Sequence, residues 1–267
     1  MFKKLKTLLT PKISSELKWI NLEADVLYAI GDVHGCYEEL RNLLEKVEAD
    51  IAKDGDKKYA IVFLGDLIDR GPDSFSVLEY LKDYAPESVE LVFLKGNHEE
   101  VFESVVAGST RALKSWFGFG GRACLRSYKV DNLGQIQMEP ERLIERIQKK
   151  VPTSHLEFLS TFHDYAVFGR YLCVHAGIRP NASLETQKTR DLRWIRDEFL
   201  DYKKPHPYIV VHGHTISDKV ELLDNRIPVD TGAYNNQPLS AVKISSDTDA
   251  LIVFESKVFE KEAWSAV

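Results

Sequence analysis

Five short polar clusters carry the residue types that bind divalent cations. Asp32 and His34 stand two positions apart in GDVHG, and Asp66 and Asp69 lie in GDLIDRG. Asn97 and His98 lie in GNHE, His175 in VHAG, and His212 and His214 in VVHGHT. Carboxylate, imidazole and amide oxygen are the donors that suit first-row divalent ions. In an extended or turning chain, the spacing of Asp32 and His34 can aim both side chains at one point. Six or more oxygen and nitrogen donors exceed what one ion needs. They suit two ions bridged by a shared carboxylate, about 3.5 to 4 Å apart, as in phosphate-ester hydrolysis. Such a pair neutralises an anionic ester and lowers the pKa of a water held between the ions.

Elements must bring these clusters together. The first three each follow a short apolar run, Val26 to Ile30, Tyr59 to Leu64 and Val89 to Leu94. Runs of this length read as buried strands. Tyr37 to Glu48 and Ser74 to Tyr84 carry apolar residues at helical spacing, with Pro72 and Asp73 marking the second start. A further helix is expected from about Glu99. Strand and helix in alternation predict crossover connections and a largely parallel sheet. Ligands of such sheets gather beyond the carboxyl ends of the strands.

Residues 100–165 have a different texture, with FGFGG at 117–121 and a helical stretch from Glu141 to Lys150. They read as a mainly helical cap insertion. Short strands return at Tyr171–Val174, Tyr208–Val211, Val220–Leu223, Ile227–Val229, Leu239–Ile244 and Leu251–Glu255. Asp224–Asn225 reads as a hairpin turn, and Leu192–Leu200 as a helix. The expected fold class is α/β, a two-sheet mixed β sandwich flanked by helices. Residues 1–24 would be an N-terminal extension and 25–267 the domain.

In that order the five clusters resemble the phosphoprotein phosphatase branch of the calcineurin-like metallophosphoesterases. The nearest likeness is to bacterial and lambda-phage-type serine/threonine phosphatases. LRWIR (192–196) and VDTGA (229–233) extend the resemblance, which runs from about residue 25 to about residue 255. It implies that Asp32, His34 and Asp66 hold one ion, that Asp66 bridges, and that Asn97, His175 and His214 complete the second. It also implies that His98, oriented by Asp69, is the general acid or an electrostatic aid to the leaving group. Arg70 and Arg196 would clamp phosphate oxygens, with Arg193 a near competitor for the second place. The chemistry is consistent with those roles: a leaving alkoxide needs a proton, and a guanidinium fork matches phosphate. His212 is expected to stand behind the ligands. Two manganese ions are the expected cofactor, with iron or zinc as alternatives.

The function so implied is hydrolysis of phosphate monoesters, with phosphoserine or phosphothreonine in proteins first and phosphotyrosine or small esters also fitting. A diadenosine tetraphosphate hydrolase shares the metal site but typically lacks the acid at the Asp69 position, so Asp69 favours the monoesterase. The Asp-Arg-Gly run argues against a phosphodiesterase or nuclease. A non-catalytic phosphate-binding module would have lost a donor, and none is missing.

Composition bounds the rest. A chain of 267 residues that is 44% hydrophobic can bury one sizeable core. A net charge of -6 argues against general nucleic-acid binding, though bound cations could still draw an anionic substrate. The basic start, MFKKLKTLLTPK, reads as a solvated or frayed end rather than a stable membrane contact. No leader pattern follows it, and no run reaches the roughly 20 apolar residues of a spanning helix. Cys36, Cys124 and Cys173 form no CxxC and read as free thiols in a reducing cytosol, so a cytoplasmic protein is expected; nothing in the sequence fixes the oligomeric state, for which a monomer is favoured. His155, His163 and His206 lack a partner motif and read as core or surface residues. Trp116, Phe117 and Phe119 either line a substrate groove or pack the cap.

Overall fold

The computed structural model describes residues 16–53, 57–130, 139–248 and 250–258. The basic start of the chain lies outside them. β2 (Val26–Ile30), β3 (Tyr59–Phe63) and β4 (Val89–Phe93) run parallel and in register. β2 and β3 are buried on both faces, which is why they appear in sequence as unbroken apolar runs. α1 (Tyr37–Ile51) and α2 (Ser74–Leu81) follow β2 and β3, as their spacing predicts. β9 (Ser240–Ser245) and β10 (Leu251–Glu255) add antiparallel strands beyond β2, giving the order β10-β9-β2-β3-β4.

The second sheet has the order β1-β5-β6-β7-β8. Its strands are β1 (Trp19–Asn21), β5 (Tyr165–Phe168), β6 (Tyr171–Val174), β7 (Ile209–His212) and β8 (Arg226–Pro228). Trp19–Asn21, within the stretch read as an extension, pairs in parallel with β5. Side chains alternate across each strand, so Leu27, Ala29, Ala60, Val62 and Leu64 meet Ala166, Cys173, Val211 and Ile227 between the sheets. The opposite faces of β2 and β3 pack Tyr28, Ile30, Ile61 and Phe63 with the helices. The expected two-sheet α/β sandwich is the observed one.

Between β4 and β5 the described chain is helical. α3 spans Asn97–Val106, α4 Thr110–Trp116, α5 Gly121–Ser127, α6 Pro140–Lys150 and α7 Thr153–Ser160. Two expectations for the last third need correction. Val220–Leu223 is no strand, so Asp224–Asn225, closed by Leu223 N–H donating to the Arg226 carbonyl at 2.9 Å, turns the chain into β8 without joining two strands. Leu192–Leu200 is two helices, α8 (Thr189–Trp194) and α9 (Asp197–Leu200). The break falls at Arg196, whose φ of -133° and ψ of -101° are not helical. Its guanidinium instead reaches the His214 carbonyl at 3.3 Å and Thr215 Oγ1 at 3.2 Å.

Candidate metal centre

Asp32 and His34 follow β2, Asp66 follows β3, and Asn97 opens α3 after β4. His175 follows β6, and His214 follows β7. All six therefore leave the carboxyl ends of parallel strands, where neighbouring loops diverge and leave a crevice. They are buried, none more than 6% exposed.

Asp66 is the hub. Its Oδ2 lies 3.7 Å from His34 Nε2, 3.3 Å from His175 Nε2 and 3.7 Å from His98 Nε2. His34 Nε2 also stands 3.8 Å from Asp32. Donor atoms of Asp66, His175 and His214 lie within 4.8 Å of one another, as do those of His34, Asp66 and His98.

Two features of this chain bear on whether such a set accepts two divalent ions. The first is tautomer. His34 Nδ1 contacts the Ile68 carbonyl at 2.8 Å, and His175 Nδ1 contacts the Leu64 carbonyl at 2.9 Å. A carbonyl only accepts, so Nδ1 carries a proton in both, and Nε2 is the atom that faces the crevice. His175 Nε2 lies 3.0 Å from Asn97 Oδ1 and 3.3 Å from Asp66 Oδ2, both acceptors, so a proton or a cation must stand between them. His34 Nε2 and His214 Nε2 are buried without any hydrogen-bond partner.

The second is charge. Burial, then the neighbouring Asp230 and Asp66 carboxylates, push the Asp32 carboxyl well above its ordinary range. Burial chiefly pushes Asp230 up to about 6. Burial would also raise Asp66, but the His175 and His98 imidazoles hold it well below that range. Burial lowers His34 and His214, leaving them neutral, the form that ligates. Crowded carboxylates with neutral imidazoles suit resident cations. Asp32, His34, Asp66, Asn97, His175 and His214 could hold two of them, with Asp66 between.

His98 is held differently. Its Nδ1 meets Asp69 Oδ2 at 2.6 Å, and Arg70 Nη2 reaches its Nε2 at 3.3 Å. Arg70 also lies over the Tyr234 ring, 4.6 Å from its centre. Arg193, the competitor to Arg196, pairs with Glu100 at 2.9 Å and Asp164 at 2.6 Å. Arg196 is exposed at the rim. His212 turns its ring edge-on to Phe199 at 5.1 Å, and its Nδ1 contacts its neighbour's carbonyl. His155 bonds Tyr128 and Glu79 at the cap, while His163 and His206 are half-buried away from the crevice.

Backbone geometry completes the crevice. His34, Asp66, Asp69, Arg70 and His214 all have positive φ, between 46° and 72°, strain of the kind that collects at functional sites. The chain passes very near two carboxylates: a Cβ on Gly96 would fall 2.1 Å from Asp66 Oδ1, and one on Gly213 2.0 Å from Asp32 Oδ1.

Sequence reasoning missed three contributors. Glu99 accepts from the backbone N–H groups of Asp66, Leu67 and Gly96 at 2.8 to 3.0 Å, pinning the hub. Its signal was the last letter of GNHE. Asp230 stood in VDTGA without an assigned role. Tyr234 had no motif.

Residues 26–237 match the family model described as calcineurin-like phosphoesterase. The chain belongs to that family, whose members use a dinuclear divalent metal centre. A bis(5'-nucleosyl)-tetraphosphatase, symmetrical, from Methylococcus capsulatus is 32% identical over 166 residues, covering 61% of this chain and 47% of that protein. The chain thus spans about half the length of the curated relatives it matches. A solved chain provisionally named a diadenosine tetraphosphatase superposes with a TM-score of 0.59 at 19% identity, over 90% of this chain and 98% of that one. The cold-active protein-tyrosine phosphatase of a Shewanella species gives 0.56 at 19% identity, over 88% and 78%. Identities so low carry the fold alone. The sequence relatives favour the dinucleotide hydrolases, held second from the motifs, over the protein phosphatases.

Proposed function

We propose that this chain hydrolyses a phosphoanhydride of the dinucleoside tetraphosphate type at a two-metal centre. The convergence of Asp32, His34, Asn97, His175 and His214 around Asp66 carries the reading. The curated relatives support the substrate. When bound, two divalent ions, for which manganese is our choice, supply Lewis-acid neutralisation of the phosphate and activation of water. The chain's own residues would do the rest. Arg70, and Arg196 from the rim, would hold phosphate oxygens with planar forks. His98 would face the leaving group through Nε2 while Asp69 fixes its other nitrogen.

One observation favours a second reading, hydrolysis of phosphoserine, phosphothreonine, phosphotyrosine or small monoesters. The leaving group of a phosphoanhydride is already a weak base and departs without a proton. An alkoxide does not, and the Asp69–His98 pair at 2.6 Å is what protonating one requires.

The test is a side-by-side assay of metal-stripped protein refilled with manganese. Diadenosine tetraphosphate should turn over faster than phosphopeptides, giving two ADP for symmetric cleavage. Faster phosphopeptide turnover would replace the first reading with the second. Turnover of neither would defeat both.

A further inference from the structure

We infer that Trp116, on α4, is a positioning residue for the acid, acting through Asp69. The inference rests on the phosphoryl-transfer reading of the site. The Trp116 indole N–H donates to Asp69 Oδ2 at 2.7 Å, the same oxygen that meets His98 Nδ1 at 2.6 Å. Trp116 and Asp69 are fully buried and His98 is 2% exposed. The other oxygen, Oδ1, is buried with no hydrogen-bond partner. One carboxylate oxygen therefore receives both donors. The indole fixes where that oxygen stands, and hence where the imidazole points.

The donor is itself immobilised. A Cβ at Gly121 would meet the indole ring at 2.4 Å, so the ring rests directly on backbone. Phe102 packs edge-on to it at 5.6 Å. The same helical turn grips the neighbouring residue, since Arg70 N–H donates to the Gly120 carbonyl at 3.2 Å. Trp116 and the FGFGG turn that follows it thus clasp the Asp69–Arg70 pair, the indole on Asp69 and the Gly120 carbonyl on Arg70. Asp69 and Arg70 carry φ values of 72° and 64°, and a strained pair persists only where its surroundings over-determine it. The helical insertion thus reaches the acid's partner through the indole N–H.

Trp116→Phe keeps most of the ring and removes only that donor. A core residue and a positioning residue then differ in what they change. On manganese-loaded protein, kcat for phenyl phosphate should fall about tenfold with KM unchanged, the fraction of an acid's contribution lost when it is misaligned. Turnover of dinitrophenyl phosphate, whose leaving group needs no proton, should stay within about twofold. An equal fall for both esters, or none for either, overturns the inference. A second readout needs no turnover. In metal-free protein the His98 Nδ1–H proton should give a slowly exchanging NMR line that broadens away in Trp116→Phe. An unchanged line overturns the inference. If Trp116→Phe does not fold, the Trp116 N–H resonance should move upfield in Asp69→Asn, and a resonance that stays put is decisive against it. Wild-type protein inactive on both esters and on diadenosine tetraphosphate would sink the functional reading, while the NMR arms still judge the contact.

Discussion

The backbone N–H of His214 donates to both carboxylate oxygens of Asp32, 3.1 Å to each, across 182 positions of sequence. The last motif of the chain thus fixes the rotamer of the first. That contact requires the His214 backbone, at φ 64°, to turn toward Asp32, with Gly213 passing against the carboxylate.

Gly213→Ala should break this contact. Its Cβ would need the space of Asp32 Oδ1, 2.0 Å away. Overpacking of this kind costs about 1–3 kcal/mol. Thermal melting should fall, and metal analysis should find fewer than two ions per chain. Gly118→Ala, whose Cβ meets nothing within 4 Å, is the control. A Gly213→Ala protein that melts and binds as wild type would show that the close approach is not needed.

Ligand and acid should separate by stoichiometry. Asp32→Asn and His214→Ala are expected to lose metal and nearly all activity. His98→Asn should keep both ions and lose about 10²–10⁴ in kcat on phosphate monoesters with an alkoxide leaving group, the usual worth of a general acid. Because His98 also clusters with His34 and Asp66, metal content decides its role. Loss of an ion in His98→Asn would make it a ligand.

The two arginines of LRWIR should part in the same way. Arg193→Ala leaves the buried Asp164 carboxylate without its cation, with the Lys18 backbone N–H still on its other oxygen, and should lower stability by about 3 kcal/mol. Arg196→Ala should leave stability unchanged and raise KM. Equal effects on melting temperature would contradict the division.

Asp230 sets a pH dependence for the metal-free protein. Its folded pKa, about 6, lies above its ordinary value of 3.8. The folded state therefore binds the extra proton, and stability present below the ordinary value is lost as pH rises through about 6. Urea unfolding with chelator should show lower stability at pH 8 than at pH 5. Asp230→Asn should reduce that slope without abolishing it, because burial also raises Asp32 and pushes Glu99 up to about 7. A slope unchanged in the variant would remove Asp230 as its source.

Much of this was legible in sequence, for physical reasons. β2 and β3 show as apolar runs because a parallel strand flanked by packed layers is buried on both faces, and Asp32 and Asp66 follow those runs closely. The helix that periodicity continued stops at Trp194, where Ile195 turns extended, and the guanidinium of Arg196 then meets the His214 carbonyl, an acceptor that no local pattern encodes. Val220–Leu223 has strand composition, but β8 took the place beside β7. Trp116 was ambiguous in principle, since a buried indole has the same pattern whether or not its N–H meets a carboxylate. Glu99 and Asp230 stood inside quoted motifs, yet burial and partner, not residue type, give an acid its role.

The six donors are divided between two layers. Asp32, His34, Asp66 and Asn97 hang from one sheet and His175 and His214 from the other, with an apolar layer beneath them and the His214–Asp32 and His175–Leu64 hydrogen bonds crossing at the mouth. A cation shared across that seam would act as a rivet, so chelation should loosen the sandwich at its mouth first and leave the helices that back each sheet in place.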